Sequence, residues 1–216
     1  MNNKTLFAVS AAILALAFTA GTIAFKKAEK NRVARIAEYS RAPLVRDHAP
    51  TLGEASAPVS IVEFIDPACE TCWAFYPRVK EKMAANPGKI RLVLRFAPFH
   101  EGSDKVAAAL AAAHRQGKFW PALEALMATQ DDWAAHHTAR VEKIWPHLDG
   151  LGLDLKKLKA DMRSPEIAGE IAQDLEDARV LNVTKTPEFF VNGKGLPTFG
   201  FGPLIMLIDD ALAGRD

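Results

Sequence analysis

Val59-Ser60-Ile61-Val62-Glu63-Phe64-Ile65-Asp66-Pro67-Ala68-Cys69-Glu70-Thr71-Cys72-Trp73 is the stretch from which the fold can be read. Its first half is short, β-branched and largely apolar on both faces, the composition of a buried parallel strand. Asp66-Pro67 stops it. From Cys69 onward the spacing turns helical, with Trp73, Tyr76 and Val79 three apart, until Asn86-Pro87-Gly88 ends the run. The sequence therefore predicts a strand over 58–65 and a helix over 69–85. Cys69 and Cys72, the only two cysteines in 216 residues, fall in the first helical turn.

Placement there carries a chemical consequence. Unpaired N–H groups and the positive dipole end of the helix stabilise a thiolate at Cys69. Side chains three apart on a helix stand about 5–6 Å apart at Cβ, whereas a relaxed disulfide needs about 3.5–4.5 Å, so the bridge should reduce readily. Cys69 reads as the attacking sulfur, reachable by partner proteins, and Cys72 as the sulfur that resolves the mixed disulfide. A structural zinc would need two more ligands, and no second cysteine pair or spaced histidine pair supplies them, so no metal is expected. A structural staple across three residues would remove little chain entropy. His100, His136 and His137 read as loop or surface residues.

With 27 Lys and Arg against 26 Asp and Glu, a net charge of +1 and 49% hydrophobic residues, the chain has the make-up of a globular domain with a real core. Basic residues are scattered, which argues against nucleic acid as a partner. The exception is Lys26, Lys27, Lys30, Arg32 and Arg35, which follow a 20-residue uncharged apolar run from Leu6 to Phe25. That run is long enough to cross a bilayer and lacks a clean small-x-small cleavage site, so residues 1–26 read as an uncleaved signal anchor rather than a signal peptide. The positive-inside rule would leave the domain in the cytoplasm, but large domains translocate with little regard to flanking charge, and a bridge-forming pair is most useful in an oxidising compartment. Export is expected: the periplasmic face of the inner membrane, or a soluble periplasmic protein if the N-terminus is cleaved.

Residues 27–50 read as a charged juxtamembrane stalk, and residues 51–216 as the folded domain. After the first strand and helix comes a second strand at 90–96, a parallel unit. Residues 104–181 are then almost wholly helical in pattern: 104–116 capped by Ser103, then about 119–130, 138–149, 154–162 and 165–181. This block is an insertion. Sheet resumes at 187–191, turns at Asn192-Gly193 and pairs again around Leu196 to Phe199, because Asn-Gly tolerates the positive φ that a tight hairpin needs. A last helix begins after Gly202 with Pro203 in first position and Leu204, Leu207, Ile208 and Leu212 as its buried stripe.

Strand, CxxC helix, strand, helical block, Thr-Pro, hairpin and closing helix in this order resemble the DsbA family of thioredoxin-fold thiol–disulfide oxidoreductases. The specific elements are Glu63-Phe64, Cys69 to Pro77, Gln116-Gly117-Lys118-Phe119-Trp120 and Thr186-Pro187 through Gly193. The resemblance implies an α/β thioredoxin-like fold with a helical insertion between the βαβ unit and the C-terminal ββα unit. It also implies an enzyme that needs no cofactor, with cysteine-containing substrate proteins and a membrane redox partner. Pro187 matches the family's cis-proline, which leaves the Thr186 backbone open to an extended substrate chain. Glu63 matches the buried acid beneath the disulfide, a proton acceptor and donor for Cys72 if desolvation raises its pKa.

The dipeptide between the cysteines bears on direction. Strongly oxidising members carry histidine beside the second cysteine; here Glu70-Thr71 stands there, and a carboxylate next to Cys69 should disfavour the thiolate by about one pK unit. A moderate oxidant is expected, exchanging its disulfide through a mixed disulfide at Cys69. A reductase or isomerase of the same fold is the alternative, favoured by Thr186 and Glu70. A non-catalytic chaperone or assembly adaptor with incidental cysteines is a second.

Overall fold

In the computed structural model, the described residues are 19–23, 25–27, 44–136 and 138–215. The chain divides into two units, Met1–Ala42 and Pro43–Asp216. In the first, residues 19–23 and 25–27 are helical. The apolar run from Leu6 to Phe25 and the basic cluster after it lie mostly outside the described residues; among those described, no helix is long and apolar enough to cross a membrane.

The second unit is built on β2 (Val59–Ile65), which occupies the middle of a five-stranded sheet. It pairs in parallel with β3 (Ile90–Phe96), Ile61 opposite Leu92 and Ile65 opposite Phe96, and antiparallel with β6 (Glu188–Val191) on its other side. Every residue of β2 except Ser60 is buried, which is why a run apolar on both faces, interrupted only by Ser60 and Glu63, builds it rather than an alternating one. Between β2 and β3 runs α1 (Glu70–Ala85), with Cys69 as its N-cap. The short β1 (Thr51–Leu52), absent from the sequence expectations, covers the outer edge of β3.

The helical block comprises α2 (Ser103–Arg115), α3 (Phe119–Ala128), α4 (Gln130–Trp133), α5 (Trp145–Leu148), α6 (Leu155–Asp161) and α7 (Pro165–Val180). Two expectations fail inside it. Residues 138–149 do not form one helix: β4 (Ala134–Ala135) and β5 (Thr138–Ala139) pair instead, a 3-10 turn follows at Val141–Lys143, and only α5 is α-helical. The Ala139 N–H bonds the Glu101 carbonyl at 2.8 Å and the Arg140 N–H bonds that of Trp133 at 2.7 Å, so tertiary partners claim the groups a helix would have used. Nor does Ser103 cap α2. The cap is Gly102 at φ 74°, where any Cβ would run into the Ala139 carbonyl, and the Ser103 hydroxyl donates to the His100 carbonyl at 2.8 Å.

The chain re-enters the sheet through β6 and turns at Asn192 (φ 47°) and Gly193 (φ 84°) into β7 (Lys194–Gly195). The hairpin stands where the Asn-Gly pair placed it. The return strand expected around Leu196 to Phe199 does not form; pairing is confined to Lys194–Gly195, directly after the turn, and Pro197 has no N–H to extend the ladder. Phe199 folds back onto the Phe75 ring, centroids 5.3 Å apart. The closing helix α8 (Phe201–Leu212) starts two residues before Pro203 and buries Leu204, Ile208 and Ala211.

Residues 44–50, read from sequence as the end of the stalk, are tied to the domain by charge. Arg95, fully buried on β3, bonds Asp174 at 2.7 Å and Asp177 at 2.6 Å, both on α7. Arg46 adds a two-point contact to Asp177 at 2.7 and 2.8 Å, and His48 Nε2 lies 2.7 Å from Asp174. Burial pushes the Asp177 carboxyl upward, but Arg46 and Arg95 outweigh it and hold it below the usual range. Removing one member of such a cluster strands the others.

Asp177→Asn should therefore cost about 3 kcal/mol in denaturant unfolding at pH 7, the low end for a buried pair because Arg46 is partly solvated. A folded-state pKa below the unfolded value means this stabilisation is complete above about pH 4 and lost as pH falls toward the folded pKa. The parent–variant difference should accordingly shrink on acidification, and a pH-independent gap would contradict the assignment.

Candidate active site

Asp66 and Pro67 end β2 at the centre of the sheet, and Cys69 follows in an extended conformation (φ −84°, ψ 112°) as the residue before α1. The sulfur therefore sits at the mouth of the helix rather than within its first turn. Main-chain N–H groups of Thr71 and Cys72 act on it, the arrangement expected at a helix start. The structure describes both cysteines as free thiols. Exposure is narrower than the sequence reading assumed: Cys69 keeps 5% of its surface and Cys72 1%. In its thiol form Cys69 donates to the Thr186 carbonyl, Sγ to O 3.4 Å.

The two sulfurs are driven apart in acidity. A hydrogen bond from the Cys72 thiol is the largest influence on the Cys69 sulfur, and with the Thr186 side chain and the main-chain N–H groups it outweighs burial to bring the Cys69 pKa down to about 6. For Cys72 burial dominates, reinforced by Cys69 and Glu63, and the pKa rises well above that of a free thiol. Glu63 is 1% exposed, and neither carboxylate oxygen has a hydrogen-bond partner. Desolvation, with the Cys69 charge adding to it, lifts its pKa well above the carboxylate range.

Across the cysteines stands the Thr186–Pro187 bond, which is cis. The structure thus gathers Cys69, Cys72, Glu63, Thr186 and Pro187 at one place, although they span more than 120 residues of sequence. Glu70 and Thr71 are exposed on the first turn. The groups acting on the Cys69 sulfur are Cys72, Thr186 and the main chain. Among the described residues, no cluster of His, Cys, Asp or Glu has a geometry that could hold a metal ion.

Residues 46–203 match the thioredoxin family. The chain belongs to the thioredoxin family. Among solved structures, a thioredoxin-like oxidoreductase from Silicibacter pomeroyi DSS-3 superposes with a TM-score of 0.68 at 32% identity, covering 79% of this chain and 95% of that one. Alpha-DsbA1 of Wolbachia pipientis, at 20% identity and a TM-score of 0.66, shares the fold over 83% of this chain and 99% of its own. This thioredoxin-family chain carries its dithiol, Cys69 and Cys72, at the start of α1. A curated relative is a Na(+)/H(+) antiporter of Salinispora tropica, 34% identical over 152 residues, 69% of this chain. The chain spans only about 22% of that antiporter's length.

Three neighbours of the site escaped the sequence reading. Asp66 is fully buried between Ala68 and His100. Gln130, 7% exposed, donates to the Pro67 carbonyl at 3.2 Å. Tyr76 donates to Glu124 at 2.9 Å, and burial lifts its pKa above the usual phenol value. An Asp just before a CxxC is a faint signal, and nothing in a single sequence pairs it with a histidine 34 residues on.

Alkylation of the reduced protein with iodoacetamide should modify Cys69 with a half-maximal rate near pH 6, the pKa its surroundings impose. Cys72 should stay unmodified at neutral pH. Equal labelling of both, or a midpoint near that of free cysteine, would overturn the described division of acidity.

Proposed function

We propose that this chain oxidises protein thiols as a moderate oxidant of the DsbA type. The observation that carries the reading is the pair of sulfurs pushed in opposite directions at the start of α1, one toward a thiolate and one toward a thiol. A substrate thiolate attacks Cys69 Sγ of the disulfide form, the Cys69–Cys72 bond breaks, and Cys72 leaves with the electron pair. Glu63, neutral beneath it, supplies the proton that Cys72 needs. A second substrate thiolate then attacks the substrate sulfur of the mixed disulfide and releases Cys69 as a thiolate, which its pKa makes a good leaving group. Two electrons have moved from substrate to enzyme, the substrate thiol protons have passed to solvent, from which Glu63 regains the one it lent, and a membrane redox partner removes the electrons.

Thr186 and Pro187 bind the substrate backbone, with the Thr186 main chain open to an extended segment. Glu70 and Thr71 stand exposed on the turn, Thr71 favouring the thiolate through its main-chain N–H and Glu70, screened by solvent, disfavouring it only weakly. Next to them the ring of Phe75 stacks on Phe201 at 3.9 Å between centroids, and Phe199 and Phe201 remain 44% and 40% exposed, an apolar surface that suits unfolded clients. Residues 1–26 act as the anchor and the residues from 27 to the start of the domain at Pro43 as the stalk, so that the domain works on the periplasmic face of the inner membrane. Relatives in which this domain belongs to an antiporter support a post beside a membrane. The reductase or isomerase reading differs only in which form the cell maintains.

Cys72→Ala should trap mixed disulfides at Cys69 that a reductant releases, and thiol labelling of intact cells should find the parent mostly oxidised. A parent held reduced would transfer the assignment to a reductase; no trapped partner, together with an intact phenotype in Cys69→Ala, would favour the adaptor. Glu63→Gln should keep the fold and slow the release of Cys72, visible as accumulated mixed disulfide.

A further inference from the structure

The turn that displays Cys69 is gripped by residues that take no part in exchange. Asp66 Oδ1 accepts the Ala68 N–H at 2.8 Å, while Oδ2 accepts the His100 N–H at 2.7 Å and faces His100 Nδ1 at 2.8 Å. Because a carboxylate only accepts, Nδ1 is the nitrogen that carries the proton. The carbonyl of Asp66 receives the Cys69 N–H at 3.0 Å. One residue on, Gln130 holds the Pro67 carbonyl from the start of α4. Both grips come from outside the CxxC helix: His100 from the loop after β3, Gln130 from the helical block.

We propose that His100, assisted by Gln130, is a positioning residue for thiol–disulfide exchange, holding Asp66 and Pro67 so that the Cys69 sulfur stays aligned with the N–H groups at the head of α1. Two physical effects require this. A fully buried carboxylate three residues before Cys69 opposes a thiolate unless donors disperse its charge, and the imidazole is one of three that do so. The N–H groups that favour the thiolate also act only over a short reach, so a turn that loosens loses them. His100 keeps 29% of its side chain exposed, so the contact lies at the rim of the site rather than in its core.

The test is titration of Cys69 by thiolate absorbance in the full chain, with the glutathione equilibrium as second readout. Cys72 and Glu63, the other titratable groups acting together with Cys69, are unchanged in every variant. His100→Ala should move the Cys69 midpoint up by about one pH unit, the worth of one hydrogen bond to a charged group, and slow alkylation at pH 6 about five-fold. His100→Asn, whose amide donates from nearly the place of Nδ1, should restore the parental midpoint. Gln130→Met should shift it in the same direction as His100→Ala. A parental midpoint in folded His100→Ala, or an Asn variant as impaired as the Ala variant, overturns the proposal. If His100→Ala does not fold, the Asn and Met variants decide it, with a parental midpoint in Gln130→Met counting against. The inference rests on Cys69 being the exchanging thiolate: absence of a low midpoint in the parent defeats that reading, whereas a low midpoint shared by all variants defeats only the role of His100 and Gln130.

Discussion

One hydrogen bond, from the Cys72 thiol to the Cys69 sulfur, organises the site. Two equivalent thiols three residues apart would titrate alike; here one proton is held by the more deeply buried sulfur and offered to the other, so a single negative charge is stabilised on Cys69. Coupled groups of this kind divide one proton between them, and the division follows burial. Everything around the pair deepens the difference: the helix start favours charge at Cys69, and the desolvated surroundings of Cys72 and Glu63 forbid it there.

The sheet is what makes that burial possible. β2 lies between β3 and β6 and carries Glu63 inward opposite Leu94 on one side and Phe189 on the other. A carboxyl among such neighbours, with both oxygens lacking a partner, is costly unless it is neutral. The same packing that raises the cost gives the group a proton to lend. Structure and chemistry thus use one burial twice, and a solvated acid at position 63 would serve neither purpose.

Much of this was legible in sequence because it depends on local rules. The buried strand, the helix behind Cys69, the second parallel strand and the Asn192-Gly193 hairpin follow from apolar runs and turn chemistry, and they stand within a residue or two of their expected bounds. What escaped depends on contacts far apart in the chain. The 138–149 segment has helical spacing, yet Glu101 and Trp133 take its N–H groups. Arg46, Arg95, Asp174 and Asp177 carry no local pattern that pairs them, and only the fold closes them on one another. At the site, Cys69, Cys72, Thr186 and Pro187 announced themselves through motifs, while Asp66, His100 and Gln130 act only by distance in space.

The acidity of Cys69 also limits how oxidising the pair can be. At neutral pH only the part of the shift that lies below the working pH stabilises the dithiol form over the disulfide; a pKa of about 6 leaves roughly one unit of it. One unit is at most about 1.4 kcal/mol, less whatever solvent screening removes, or about 30 mV for a two-electron couple. The raised pKa of Cys72 adds nothing, since that sulfur is protonated at neutral pH whether or not its pKa is raised. A fully acidic thiolate, several units lower, would contribute several times as much. Glu70 is exposed and is not among the groups acting on the sulfur, whereas the Cys72 thiol is the largest of them, so the partner thiol rather than the neighbouring carboxylate sets the scale. The moderate direction proposed for the exchange therefore follows from a thiolate that is stabilised by its own partner more than by any fixed positive charge.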